Sequence, residues 1–113
     1  MSAACLFCKI VKGEIPAKKL YEDEQLLAFW DISPQAPKHF LIIPKKHISG
    51  PDGVAAADEQ LIGALIRKGG ELAAAEGIPS FRLVMNNGAQ AGQTVFHLHM
   101  HVLGGRALGW PPG

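Results

Sequence analysis

The stretch QTVFHLHMHVLGG, Gln93–Gly105, carries three histidines at every second position, and its conformation decides what the rest of the chain can do. On a helix, at about 100° per residue, His97 and His101 would share a face while His99 pointed elsewhere. On a strand all three fall on one face, with Leu98, Met100 and Val102 on the other. The strand separates polar from apolar side chains cleanly. Thr94, Val95, Phe96 and Val102 favour extended backbone, and Gly104-Gly105 ends the run. The segment reads as a strand.

Spacing then limits the chemistry. Alternate strand residues lie ~6.7 Å apart, so His97 and His101 are expected to stand ~13 Å apart. Imidazole–zinc bonds are ~2 Å long, so one ion cannot engage all three rings. Neighbouring pairs can share an ion or a ligand, which predicts different tasks for the two outer histidines. The plain alternative is a solvated strand face that happens to bear histidine. Clustering beside the glycine-rich NNGAQAGQ, residues 86–93, favours a site.

Outward from this stretch, LLAFWDI (Leu26–Ile32) and HFLIIPK (His39–Lys45) are apolar, aromatic and β-branched, with the turn-rich SPQAPK between them. They read as neighbouring strands. From Asp58 to Glu76 the pattern turns helical, with Leu61, Ile62, Leu65, Ile66 and Leu72 on the 3.6 period. Gly69 and Gly70 weaken that helix by roughly 1 kcal/mol each. FRLVM (Phe81–Met85) reads as a further strand, making a hairpin with the histidine stretch. CLFCKIVKG reads as a short helical turn ending at Gly13.

With 113 residues the chain is expected to be one α+β domain spanning residues 1–113. Eleven basic residues stand against 10 acidic ones, which leaves no electrostatic footprint for nucleic acid or a membrane surface. No apolar run approaches the ~20 residues that span a bilayer. The first residues are too briefly apolar and too soon charged for a secretory signal. Two cysteines, Cys5 and Cys8, form a single C-x-x-C. That excludes a disulfide framework and favours a reducing, cytoplasmic setting.

These residues together resemble the histidine-triad (HIT) nucleotide hydrolases and transferases. The likeness rests on H-L-H-M-H-V-L with GQTVF before it, on CLFCKIVKGEIPAKKLYEDE, on LAFWDISPQAPKHFLIIPKKHIS and on NNGAQAGQ. The terminal GGRALGWPPG is similar to the Hint branch of purine-nucleoside phosphoramidases. The resemblance implies a HIT-like antiparallel sheet of about five strands, one long helix and a short N-terminal helix. It also implies a homodimer that joins two sheets into a larger one.

The same resemblance assigns roles. His99 would be the nucleophile toward the α-phosphate of a nucleotide, forming a nucleotidyl-histidine that water hydrolyses. His101 would donate to a phosphate oxygen, Thr94 would steer the leaving amine, and His39 joins the catalytic set. Asp31 would hold both ribose hydroxyls, with Phe29 and Ile32 beside a purine of either kind. Asn86, Gly92 and Gln93 would contact the sugar-phosphate side, Gly92 to Thr94 through their main-chain N–H groups. Cys5, Cys8, His47 and His97 would hold one structural zinc ion. The alternative for that set is two buried thiols, with His97 hydrogen-bonded to His39.

Hydrolysis of purine nucleoside 5′-phosphoramidates, of the adenosine 5′-monophosphoramidate type, is the activity this implies. Three rivals remain open at this point. One is a dinucleoside-polyphosphate hydrolase, and another is a nucleotide-binding regulatory or scaffold protein with incidental hydrolysis. The third is a metalloenzyme using His99 and His101 as ligands, for which no third carboxylate ligand lies nearby in sequence.

Overall fold

A computed structural model describes residues 4–113. The expected α+β architecture is present. In chain order it runs α1 (Leu6–Val11), β1 (Lys19–Glu22), β2 (Leu26–Trp30), β3 (Lys38–Pro44), α2 (Glu59–Ala75), β4 (Phe81–Val84) and β5 (Met100–Gly104). The five strands form one sheet in the order β1-β2-β3-β5-β4, and every neighbouring pair is antiparallel. No described helix is long and apolar enough to cross a membrane.

The central strands are apolar at nearly every position because both faces of the sheet are covered. Side chains alternate sides along a strand. In β2, Leu26 and Ala28 join Phe40, Ile42, Leu65, Met100 and Val102 in a core beneath α2. Leu27 and Phe29 face the other way and pack with Leu41, Ile43, Phe7 and Ile10 of α1. The first core holds the fold together. The second supplies the floor of a cavity.

The histidine stretch corrects the sequence reading in one respect. Regular pairing begins only at Met100, and residues 95–97 form bends rather than strand. The physical cause is competing hydrogen bonds. The Leu98 N–H donates to the Ile48 carbonyl at 2.6 Å, outside the β3 ladder, and the His99 ring turns back onto the His97 carbonyl. Even so, the two sides stay segregated. Leu98, Met100 and Val102 lie in the core beneath α2, and the histidines lie opposite. Strand β1, which the sequence reading did not locate, is a four-residue edge with a register shift between Lys19 and Tyr21.

The glycines of α2 and β5 differ in what an added methyl group would meet. At Gly104 a Cβ would collide with Ile78 Cγ2 and lie 3.0 Å from the Ser80 carbonyl oxygen. Gly69, expected only to weaken its helix, instead lets Met100 approach, since a Cβ there would lie 2.6 Å from the Met100 Cε. Gly63 faces open space. Overpacking at Gly104→Ala should therefore cost roughly 1–3 kcal/mol. Gly63→Ala should stabilise by up to roughly 1 kcal/mol through helix propensity. Urea titration of the two variants checks both signs; equal midpoints would contradict the packing at Gly104.

Candidate active site and metal centre

His97 is wholly buried, and its two nitrogens have different partners. Nε2 lies 2.7 Å from the Pro44 carbonyl oxygen. A carbonyl only accepts, so Nε2 carries the proton and Nδ1 presents a bare lone pair. That lone pair faces Cys5 Sγ at 3.4 Å, Cys8 Sγ at 3.6 Å and His47 Nδ1 at 3.2 Å. Cys8 Sγ is 3.3 Å from His47 Nδ1. The alternative bond from His97 to His39 is not made.

All four ligand atoms lie within 4.8 Å of one another. A tetrahedral ion with ~2.3 Å bonds to sulfur and ~2.0–2.1 Å bonds to nitrogen would hold its S and N ligands ~3.5 Å apart and its two nitrogens ~3.4 Å apart. The three S···N distances and the N···N distance above each lie within about 0.2 Å of those values. The donor set, two thiols and two imidazoles with one ring fixed by a carbonyl behind it, suits a soft-to-borderline divalent metal. Cys5 caps α1, and the Cys8 N–H donates to its sulfur at 3.3 Å, so one helical turn presents both thiols.

Beyond His99 from this cluster, a second set of rings forms a hydrogen-bonded chain. The Gln35 N–H donates to His39 Nδ1 at 3.0 Å, so the neutral His39 ring carries its proton on Nε2. That Nε2–H points at His101 Nδ1, 2.9 Å away, and Asp31 Oδ2 lies 3.4 Å from it. His101 thus accepts at Nδ1 and keeps its own proton on Nε2. Burial, then the neighbouring His99 and His39 rings, push the His101 pKa down to about 4 against the opposing Asp31 carboxylate. Burial also holds His39 below its ordinary value, with Asp31 pulling the other way. Both rings are neutral at pH 7.

Asp31, His39 and His101 cluster closely enough to suggest a second metal set. The Gln35 N–H argues against one. For His39 to bind an ion through Nε2 its proton would have to move to Nδ1, where it would oppose the Gln35 N–H donor. The set is a proton-ordering chain.

His99 occupies the space between. Its Nδ1 is 2.7 Å from the His97 carbonyl oxygen, so Nδ1 holds the proton and Nε2 the lone pair. The Phe7 ring stands edge-on to it at 5.1 Å, and His101 lies at 5.0 Å between ring centroids. A cavity of about 330 Å³ opens here, walled by Ile10, Ile15, Phe29, Asp31, His99 and His101. That size suits a small organic ligand. Its apolar wall and single carboxylate allow one end to hold a flat apolar group and the other a hydroxylated one.

The structure brings Phe29, Asp31, Ile32, Thr94, His99 and His101 together around that cavity. His39 lies behind His101. Asn86, Gly92 and Gln93 do not line it. The N–H groups of Gly92 and Gln93, expected to be open to a phosphate, already donate to Ala89 and Gly88 carbonyls at 3.0 and 3.1 Å. The Gln93 side chain is buried and bonded to the Ser49 and Val95 carbonyls and the Gly88 N–H. Residues 88–92 form a tight turn in which the N–H groups of Gly88, Ala91 and Gly92 bond within the loop. Sequence reasoning missed Phe7 and Ile10, whose only signal was their apolar spacing on α1. It also missed Asn87, whose Oδ1 accepts from the Asp52 N–H at 3.0 Å.

The chain is similar to known proteins over nearly its whole length. Residues 12–108 match the family model of the HIT domain. A HIT-like protein of Synechocystis sp. is 53% identical over 114 residues, covering 100% of both chains, and one of Synechococcus elongatus is 48% identical over the same span. Among solved structures, a HIT family hydrolase from Legionella pneumophila superposes with a TM-score of 0.95 at 51% identity, covering 96% of this chain and 99% of that one. A HIT family hydrolase from Clostridium thermocellum gives 0.93 at 43% identity, covering 96% of each. A domain match over most of the chain, full-length relatives at about half identity and three histidines in the expected order lead to one conclusion: this chain belongs to the HIT family.

Proposed function

We propose that this hydrolase-type HIT protein cleaves purine nucleoside 5′-phosphoramidates to the nucleoside monophosphate and an amine. The observation that carries the reading is the His99 ring. Its Nδ1 proton is committed to the His97 carbonyl, which leaves Nε2 as a nucleophile, and it shares one cavity with Asp31 and His101.

His99 Nε2 forms a bond to phosphorus while the phosphorus–nitrogen bond breaks. The departing nitrogen keeps the electron pair and takes a proton from solvent water, leaving as a neutral amine; the second step returns one proton to solvent. The nucleotidyl ring is then cationic, and its Nδ1–H bond to the carbonyl becomes charge-assisted. Water next forms the phosphorus–oxygen bond, the bond to Nε2 breaks, and the surplus proton returns to solvent. His101, kept neutral with its proton on Nε2, donates to a non-bridging oxygen in both steps. Thr94 stands at the cavity edge and steers the amine.

A metal ion held by Cys5, Cys8, His47 and His97 fits the zinc pattern of a closed tetrahedral site. It would supply structural rigidity and take no part in either step. A homodimer completes the reading, formed along edge strand β4, where Phe81 and Leu83 are exposed. Sedimentation at micromolar concentration should give twice the chain mass; a monomer there would rule the dimer out.

The hydrolase reading is tested by mixing the protein with an adenosine phosphoramidate, quenching fast and measuring intact mass. A transient nucleotidyl adduct on His99 is expected. Binding without adduct or turnover would favour the regulatory reading. The dinucleoside-polyphosphate rival is weakened by charge, since among the described residues Lys18 is the one lysine or arginine along the cavity.

Asp31 provides an independent check. Its Oδ1 accepts the Ser33 N–H at 2.7 Å, leaving Oδ2 as the acceptor for a sugar hydroxyl. Each charge-assisted bond to a diol is worth about 1.5–3 kcal/mol. Asp31→Asn should therefore weaken AMP binding at least about tenfold and leave 2′,3′-dideoxy-AMP nearly unaffected. Calorimetric titration showing equal losses for both would remove Asp31 from the sugar site.

A further inference from the structure

Cys5 and Cys8 are the chain's two cysteines, and solvent reaches them differently. Cys5 is half-buried and lines a cavity of about 560 Å³ together with Ser49 and His47, whereas Cys8 is 1% exposed. We propose that the pair is a redox modification site: a small peroxide oxidises it to an intramolecular disulfide, which detaches α1 from the sheet and withdraws Phe7 from His99. The proposal rests on the metal cluster read above and adds to it a second, covalent state.

Two observations carry it. The first is proximity. Both sulfurs face one atom, His97 Nδ1, at 3.4 and 3.6 Å, and all four ligand atoms of the cluster lie within 4.8 Å of one another. A disulfide is about 2.05 Å long, so the sulfurs have less than about 3 Å to close. The two-residue gap of C-x-x-C on one helical turn is the spacing of reversible dithiol pairs. The Cys8 N–H already holds the Cys5 sulfur at 3.3 Å. The second observation is what the sulfurs secure. They reach His47 and His97 across 39 to 92 residues. Phe7 sits between them on α1, edge-on to Phe29 at 5.4 Å, His97 at 6.0 Å and His99 at 5.1 Å.

The difference in exposure sets the order of events. Thiols held by a metal are deprotonated, and the thiolate is the form that peroxide oxidises. Cys5 Sγ, the one along the cavity, attacks a peroxide oxygen. A sulfur–oxygen bond forms, the oxygen–oxygen bond breaks, and the departing hydroxide takes a proton from solvent to become water. Cys8 Sγ then attacks the Cys5 sulfur. The sulfur–sulfur bond forms, the sulfur–oxygen bond breaks, and the second hydroxide leaves as water in the same way. Two electrons pass from the sulfur pair to the peroxide. Neither sulfur is then a thiolate ligand, so α1 loses its tie to His47 and His97 and a divalent ion held there leaves with its charge. A dithiol reductant reverses the step by exchange. Such transient oxidation is the usual use of a disulfide in a reducing compartment.

The test uses the full chain as purified, with its metal content measured first. Equimolar hydrogen peroxide is added, the reaction is quenched with an alkylating reagent in denaturant, and the peptides are mapped by mass spectrometry. A Cys5–Cys8 disulfide is expected, about 2 Da lighter than the dithiol, with about one zinc set free per disulfide. The melting temperature should fall by at least about 10 °C. Phosphoramidate turnover should fall in step with the disulfide, and dithiothreitol with zinc should restore both. Cys5→Ser should slow oxidation of the remaining thiol at least about tenfold, because Cys8 is buried. Should that variant not fold, the wild-type peptide map decides alone. Methionine oxidation ahead of both cysteines, sulfonic acid at Cys5 without a disulfide, or a disulfide between chains would each overturn the proposal. So would a disulfide that leaves melting unchanged. Protein that holds no metal before peroxide is added would end the metal reading instead, a distinct failure, and the disulfide and melting results would still decide the proposal.

Discussion

Replacing His99 with alanine is expected to lower phosphoramidate turnover by about 10⁴-fold or more, the scale seen when a covalent nucleophile is deleted, or about 5.5 kcal/mol of barrier. AMP binding should survive, because Asp31 and the apolar wall are untouched. Alanine also removes the donor to the His97 carbonyl and the ring beside Phe7, so a second variant separates chemistry from packing. In His99→Asn the side-chain amide can still donate to that carbonyl, yet no atom remains at the Nε2 position. Both variants should be inactive, and His99→Asn should unfold closer to wild type. Near wild-type hydrolysis by either, followed by product chromatography, would end the nucleotidyl-histidine mechanism. His101→Ala should behave differently. It removes a donor to the phosphate and not the nucleophile, so a slow adduct should still form in the mass spectrum.

Much of this site is legible in the sequence because it depends on alternation. Successive residues from His97 to Val102 face opposite sides whether or not they pair in a ladder, so the segregation of histidines from Leu98, Met100 and Val102 follows from extended backbone alone. Pairing is another matter. That β5 begins at Met100 depends on the Ile48 carbonyl taking the Leu98 N–H, a partner fifty residues away that no local pattern announces. The expected separation of His97 from His101 led to separate tasks for them. In the structure the two rings differ in the main-chain atoms behind them: the Pro44 carbonyl behind His97, and the Gln35 N–H behind the His39 ring that bonds His101. Main-chain partners leave no trace in residue identity.

The glycine-rich loop likewise depends on partners that residue identity does not show. Its composition suggests a backbone open to a phosphate, a role such turns often fill. Here, around the 3₁₀ turn Ala89–Ala91 and the left-handed Gly92, the N–H groups of Ala91, Gly92 and Gln93 bond to loop carbonyls, and the Gln93 side chain makes three internal bonds. The glycines are needed for backbone conformation, with φ of +92° at Gly88 and +96° at Gly92. Helix α2 and strands β2 to β4, in contrast, lie within two residues of their expected ends at every boundary, because long apolar periodicity is set by the core that it builds.

Removing the metal is expected to have the second-largest effect, on stability first and on activity through it. The cluster joins Cys5 and Cys8 on α1 to His47 after β3 and His97 before β5, segments separated by 39 to 92 residues. Without an ion these contacts are hydrogen bonds of 3.3–3.6 Å to sulfur, which are weak. With one they become coordinate bonds that the unfolded chain cannot make in this arrangement, so their energy counts toward folding. Helix α1 has only six residues, too few to be stable alone, and it carries Phe7 against His99. Chelation or Cys8→Ala should therefore lower the melting temperature by at least about 10 °C, which is about 2 kcal/mol for a domain of this size. Asp31 is held by the Ser33 N–H and not by a cluster residue, so KM should rise less than kcat falls as the His99 ring loses the edge-on Phe7. Elemental analysis of chelator-free protein should find about one zinc per chain. Protein that contains no metal, melts at the same temperature with and without chelator, and reacts at both cysteines in the native state would reduce the cluster to hydrogen bonds.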